Sequence, residues 1–320
     1  MCGQLALWQF GDGGLNMSTE LIELSNALAS ATERGAASVV AMHTEARGSS
    51  SGIVWRPGVI ATAEHALRRD EEIQVTLPDG RVVAATLAGR DASTDIAVLK
   101  CAEATGAVEE FGDAATLAPG NITLVVGRTR ASGPVAALGV VSLVTPSRRS
   151  WGGTSLAPYI RLDIGLQPTA VGGAVIDAKG SVVGMATPRF ARFGAIAIPA
   201  AAIDKIMDTL LAKGRIPHGY LGVALQPVRL PNAIREALGR SERTAAIVME
   251  VNADGPAHKA GFVIGDILVS LDGYPIARLE DVQSLLAGGA IGKTLPVKFV
   301  RGGVVQEGSI VAAERPHGGD

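Results

Sequence analysis

The sequence is poor in cysteine, in aromatic residues and in net charge, and each shortage excludes something. Two cysteines in 320 residues, Cys2 and Cys101, cannot build a disulfide framework and form no C-x-x-C motif. That usage fits a reducing compartment or indifference to redox. Aromatic residues are 4% of the chain, so a core has to be assembled from Val, Ile, Leu and Ala. Lysine and arginine (29) nearly balance aspartate and glutamate (31) and are interspersed with them. No basic field is left for nucleic acid or an anionic membrane surface. No run approaches the ~18 apolar residues of a membrane span. The opening residues lack a basic stretch, an apolar stretch and a small-residue cleavage site. No secretory signal is read there, and a cytoplasmic location is expected.

What is present points to two folded domains. Hydrophobic residues are 47% and charged residues 19%, which excludes wholesale disorder. The length suits about two domains. Forty glycines and 16 prolines spread along the chain favour frequent turns and a mainly β architecture. Met17 competes with Met1 as the start, because Ser18 would cap the helix that follows. Residues 1–17 are then a disordered or non-native extension. Leu21, Leu24, Leu28 and Ala31 form a helical stripe. After Gly35 come short strands at Ser38–His43, Ile53–Trp55, Val59–Thr62, Ile73–Leu77, Arg81–Leu87 and Asp95–Lys100. The series continues at Ile122–Val126, Gly139–Val144, Tyr159–Asp163, Ala174–Ile176 and Ser181–Ala186. Pro78-Asp79-Gly80 is a hairpin turn. Such a series indicates one or two small closed barrels.

A helix is expected over Ala200–Ala212, with Ile203, Ile206, Met207 and Leu210 on one face, and a stop at Lys213-Gly214-Arg215-Ile216-Pro217. The domain reading is therefore 18–214, a linker over 215–218, and a second domain over 219–315. The second domain shows strands at Leu221–Leu225, Ala246–Glu250, Ile267–Leu271 and Leu295–Val300, a helix near Leu279–Ala287 and a turn at Gly302-Gly303.

Between Gly255 and Ile276 runs GPAHKAGFVIGDILVSLDGYPI. It resembles the GSPAxxAGLxxGDxIxxxNGxxI segment of PDZ domains attached to HtrA-type proteases, through Gly255, Pro256, Ala260, Gly261, Gly265, Asp266 and Gly273. Gly265-Asp266 and Asp272-Gly273 are turn residues, which identify the fold and not a site. In such domains a short loop holds a peptide's C-terminal carboxylate while the peptide adds a strand to a sheet edge. Gly219-Tyr220-Leu221-Gly222-Val223 resembles that YLGV-type loop. The resemblance implies peptide binding at Tyr220, Leu221, Gly222 and Val223; read without it, the segment is an ordinary junction between linker and strand.

The first domain resembles the same family, a chymotrypsin-like double β-barrel. His65 in VIATAEHAL matches the VTNNHV segment of the general base, and Asp95 in DASTDIAVLK matches the DxxTDIAVLK that orients it. The order His, Asp, nucleophile is the chymotrypsin-type order. The nucleophile pattern NPGNSGGPLV maps without a gap from Gln167 onward, its first nine positions falling on Gln167-Pro168-Thr169-Ala170-Val171-Gly172-Gly173-Ala174-Val175. The catalytic serine's position is Val171, which has no lone pair to attack a carbonyl and no proton for His65 to accept. Thr169 stands where the family has the glycine of the oxyanion hole, and a β-branched residue resists that geometry. Thr169, Ser181 and Ser142 are the hydroxyls weighed as substitutes, and each reads as structural. His43 reads as a satisfied strand histidine, His258 and His317 as surface positions, and neither His43 nor His218 has metal-ligand spacing to His65.

The resemblance, with its lost serine, implies an HtrA-like pseudoprotease without cofactor or metal. It would bind client C-termini or unfolded segments through its PDZ domain as a scaffold or chaperone-like adaptor, as a homo-oligomer or beside an active paralogue. The alternative is an active HtrA-type serine endopeptidase of protein quality control with an unrecognised nucleophile. A relic without molecular function is the third reading, and the His65–Asp95 pair does not separate it from the first.

Overall fold

A computed structural model describes residues 14–44, 48–67, 73–145, 159–191, 193–287 and 289–315. These fall into two compact units, one ending at Ile216 and one beginning at Pro217.

The first unit opens with helix α1 (Gly14–Ala36), followed by β1 (Val39–Thr44), β2 (Gly48–Arg56), β3 (Val59–Ala63), β4 (Ile73–Thr76), β5 (Val82–Asp91) and β6 (Ile96–Lys100). These strands close into an antiparallel barrel in the order β1-β2-β3-β6-β5-β4. A second barrel uses β7 (Ile122–Thr129), β8 (Gly133–Thr145), β9 (Tyr159–Asp163), β10 (Ala174–Asp177), β11 (Val182–Thr187) and β12 (Ala195–Pro199). Its order is β10-β11-β12-β9-β8-β7. Side chains alternate across each strand. Val40, Met42, Ile60, Val75 and Leu99 fill the first barrel, and Val125, Ile160, Leu162, Val175 and Val183 the second. The alternate set, among them Val39, Ile53, Val98, Val126, Ile176 and Met185, forms the layer between the barrels. Burial on both faces is why these strands read as nearly unbroken apolar runs.

Helix α2 (Ala200–Lys213) seals that layer with Ile203, Met207 and Leu210, all buried. The Trp55 indole N–H donates to Asp204 (2.9 Å), and Arg56 reaches Asp204 and Asp208. The Pro78-Asp79-Gly80 turn joins β4 to β5, with the Gly80 N–H on the Leu77 carbonyl.

The second unit contains β13 (Gly219–Tyr220), β14 (Val223–Arg229), α3 (Asn232–Leu238), β15 (Thr244–Val251), α4 (Pro256–Lys259) and β16 (Ile267–Leu271). It continues with β17 (Tyr274–Pro275), α5 (Leu279–Ala287), β18 (Thr294–Arg301), β19 (Val304–Val311) and β20 (Ala313–Glu314). The main sheet runs β14-β15-β16-β18-β19, and β13 pairs with β20. One core, around Leu221, Val248, Phe262, Leu271, Val282 and Leu285, includes α4 and α5. A smaller one, around Leu230, Ala245, Val269 and Val300, packs with Ile234 and Leu238 of α3. Buried Asp266 and the Arg301 guanidinium, 2.7 and 2.6 Å apart at two atom pairs, fix the Gly265-Asp266 turn.

The structure corrects several sequence readings. Helix α1 already runs from Gly14, so Ser18 lies inside it and not at its start; no breaker separates Gly14 from Ser18. Residues 1–13, with Cys2, lie outside the described residues, as does His317. The stripe on α1 is only half used: Leu21 and Leu24 are 62% and 46% exposed, and packing begins at Leu28. Strand β12 and helices α3 and α4 had no sequence signal recognised for them.

Candidate active site and peptide groove

His65 sits on a 3-10 turn, Glu64–Ala66, at the end of β3. Asp95 lies in the turn entering β6, fully buried, with φ of +59°. Few residues other than glycine adopt that conformation, and Asp is among those that do. It aims the carboxylate at His65: Nδ1 lies 2.8 and 2.9 Å from the two oxygens, and the His65 backbone N–H donates to Oδ1 at 3.0 Å. The Asp95 carbonyl also accepts from the Glu64 N–H. The His65 and Asp95 placed together by sequence are therefore in contact. Sequence reasoning missed Thr187, whose hydroxyl donates to Asp95 Oδ2, and the flanking ion pair of Arg189 with Glu64 at 3.5 Å. Neither residue stands in a motif.

Val171 follows a second 3-10 turn, Pro168–Ala170. Its side chain is 8% exposed and packs with Ala63, just before the His65 turn, with Ala66, the last residue of that turn, and with Leu166. These neighbours are apolar, and Val171 brings no hydroxyl to them. The Val171 N–H donates to the Pro168 carbonyl (3.2 Å), and the Ala170 N–H to the Gln167 carbonyl (2.9 Å). Thr169 lies within the turn, its hydroxyl buried without a hydrogen-bond partner.

The rest of the loop is firmly tied. The Ser51 N–H donates to the Val171 carbonyl (2.8 Å) and its hydroxyl to the Thr169 carbonyl (2.6 Å), while Ser51 Oγ accepts the Arg128 N–H. Arg128 is buried; its guanidinium donates to the Val39 and Ala36 carbonyls, and burial lowers its pKa. Gly172 has φ of +77°, and a Cβ there would run into the Ser51 carbonyl oxygen. Only glycine fits, which explains the Gly172-Gly173 register. Ser51 and Arg128 are further residues that sequence reasoning did not single out; the run Ser49-Ser50-Ser51 before the apolar part of β2 was the available signal.

The substitute hydroxyls and other histidines lie elsewhere in the network. Ser142 donates to the Arg161 carbonyl, and the Ser181 N–H donates to Asp177. His43 contacts the Thr76 hydroxyl at 2.6 Å, and burial, aided by Arg130, lowers its pKa. His258 is exposed, with its Nδ1 accepting the Asp254 N–H. Cys101 is a buried free thiol, pushed up in pKa by burial. Among the described residues no group of three or more His, Cys, Asp and Glu could hold a metal, and no helix is long and apolar enough to cross a membrane.

In the second unit, Tyr220 to Val223 form the junction of β13 and β14. The Leu221 carbonyl accepts the Ala257 N–H (2.8 Å) and the Gly222 carbonyl accepts the Asn252 N–H (2.9 Å). In a trans peptide the C=O and N–H point opposite ways. The N–H groups of Gly222 and Val223 therefore turn away from α4 and β15. Gly222 makes this possible with φ of +77°, 3.3 Å from Gly255 and Pro256 at its Cβ position. Leu221 is buried, Val223 and Leu225 are half-buried on the core that includes α5, and Tyr220 is held through its hydroxyl by Asn252. A loop of outward N–H groups beside an edge strand suits an extended peptide with a terminal carboxylate.

Comparison with known proteins agrees with this layout. Residues 50–185 match the trypsin-like peptidase domain and residues 219–311 the PDZ domain. A probable periplasmic serine endoprotease, DegP-like, of Pseudomonas fulva is 32% identical over 265 residues, 81% of this chain and 54% of the relative. Its counterpart in Pseudomonas savastanoi is 30% identical over 281 residues, 86% of this chain and 58% of the relative. The chain thus spans about half the length of the curated relatives it matches. The crystal structure of the serine endoprotease from Yersinia pestis superimposes with a TM-score of 0.70 at 27% identity, covering 89% of this chain and 97% of that one. HtrA-type protease AlgW with tripeptide gives 0.70 at 25% identity, covering 92% and 97%. The expected cytoplasmic location is overturned: these relatives are named periplasmic. That expectation rested on the opening residues, which record only where the given sequence begins. By its two domains, its relatives and its fold, the chain belongs to the HtrA type, a trypsin-like peptidase domain followed by a PDZ domain.

Proposed function

We propose that this HtrA-type chain is a pseudoprotease that binds polypeptide C-termini through its PDZ domain. The observation that carries the reading is Val171, packed on Ala66 beside His65 with its N–H committed to the Pro168 carbonyl. Acyl transfer needs a nucleophile within reach of the base and N–H donors aimed at the developing oxyanion. The side chain at 171 supplies no nucleophile, and the donor at 171 is used within its own turn. Loss of the nucleophile from such a triad lowers kcat by roughly 10⁶. What remains is scaffold and peptide binding, in a homo-oligomer or beside an active paralogue.

The test is turnover of casein and of a fluorogenic peptide. No turnover is expected from the native chain, and measurable turnover from the triple variant Thr169→Gly, Ala170→Asn, Val171→Ser. Turnover by the native chain that disappears in His65→Ala would overturn the proposal in favour of an endopeptidase with another nucleophile.

A further inference from the structure

Proteins blunt the edge strands of their sheets with proline, lysine, a bulge or shortness. β14 carries two of these, Pro227 and a bulge between Ala224 and Leu225. β19 carries none: it runs eight residues, Val304–Val311, without proline or lysine and in unbroken register with β18. Among the described residues β18 is its one neighbour in the sheet.

The hydrogen bonds at its end say which residues face the open side. The Ala312 N–H donates to the Lys293 carbonyl (3.1 Å), and the Ala312 carbonyl accepts the Gly292 N–H (2.7 Å). Inward and outward residues alternate along an antiparallel ladder. The even-numbered residues of β19 therefore bond to β18, while Val305, Glu307, Ser309 and Val311 turn their N–H and C=O groups outward. β13 takes that side only further on, where Tyr220 pairs with Ala313 and the Arg315 N–H donates to the His218 carbonyl (3.0 Å). Where β13 turns away, a cavity of about 670 Å³ lined by Tyr220, Pro256, Ala260, Ser309 and Val311 lies beside the strand, so α4 does not cover its end.

The open stretch is thus 305–311, bounded by the Gly302-Gly303 turn and by β13, with Gly308 at its centre. An antiparallel copy of the same stretch fits it in one register. With Gly308 opposite Gly308 of the second copy, Val305 faces Val311 and Glu307 faces Ser309. Glycine has no side chain to obstruct the close non-bonded pair on the axis. Sliding one step one way sets Glu307 against Glu307, like charges directly opposite. Sliding the other way sets Val305 against Ala313, whose bonds β13 already holds.

We propose that two chains join by pairing their β19 strands antiparallel about a two-fold axis at Gly308, covering Val311, which is 54% exposed in the single chain. Such a pairing uses the same patch on both copies and closes on itself. The inference rests on the homo-oligomer named above, to which it gives a surface, and needs neither the lost serine nor peptide binding at β14.

The test uses the full chain in a Cys2→Ser background and two variants at exposed positions, Glu307→Cys and Ser309→Cys. A bonded pair brings Cα atoms to about 5.5 Å, within disulfide reach, whereas equal positions lie two residues out of step. Under mild oxidation the mixed variants are expected to give a disulfide between positions 307 and 309, read by mass spectrometry, and each variant alone none. Ser309→Lys sets a cation against Glu307 of the second copy, and Ser309→Glu an anion. In sedimentation equilibrium the first is expected to associate at least about threefold more tightly than the second. Absence of the mixed disulfide, or equal association of the two charge variants, overturns the inference and leaves the homo-oligomer to another surface. Sedimentation as a single chain at every concentration overturns the homo-oligomer and the inference together.

Discussion

At the scale of single residues, Val171 and Asp95 are an instructive pair. The first carries no hydroxyl and packs on alanines, while the second holds His65 through both its backbone and its ring. Asp95 is 0% exposed and accepts from the His65 backbone, the His65 ring and the Thr187 hydroxyl. Removing a buried acceptor leaves its donors unsatisfied, at about 1–3 kcal/mol each. Asp95→Ala is therefore expected to lower unfolding free energy in urea by at least about 2 kcal/mol. An unchanged midpoint would mean the carboxylate is retained for something other than the fold. The candidate site was legible in the sequence because the loop has rigid markers: Pro168 and the Gly172-Gly173 pair fix the register whatever lies between them. Ser51, Arg128 and Thr187 were not legible, because their roles depend on contacts across 118, 77 and 92 positions of chain.

At the scale of elements, α2 shows how little of a helix does its packing. Ile203, Met207 and Leu210 form the face that closes the layer between the barrels. Met207 is fully buried there, and Met207→Ala is expected to cost about 2–5 kcal/mol, read as a lowered midpoint in thermal or urea unfolding. The exposed ion pairs of Arg56 with Asp204 and Asp208 are each worth at most about 1 kcal/mol, so apolar burial is what docks the helix. This helix was legible from its period and from the glycine after it, Gly214, which ends it in the left-handed conformation. Helix α1 misled in the opposite way. Its periodic stripe is real, but periodicity reports a face without saying how much of it is covered, and the half bearing Leu21 and Leu24 is open. Strand β12, Ala195–Pro199, escaped because five apolar residues in a row carry no period to recognise.

At the scale of the molecule, each unit has its own apolar cores among the described residues. The fragment 217–320, expressed alone, is therefore expected to unfold in urea in a single cooperative transition. Loss of cooperativity in the fragment would show that it depends on the rest of the chain. Both barrels of the first unit close on themselves, and a closed barrel has no strand edge to offer. In the main sheet of the second unit, β14 and β19 are the edges, and an edge able to receive a peptide can equally receive another copy of itself. Pro227, midway along β14, removes one donor from that template, and a ladder missing a rung is a safeguard against the chain polymerising when it is crowded.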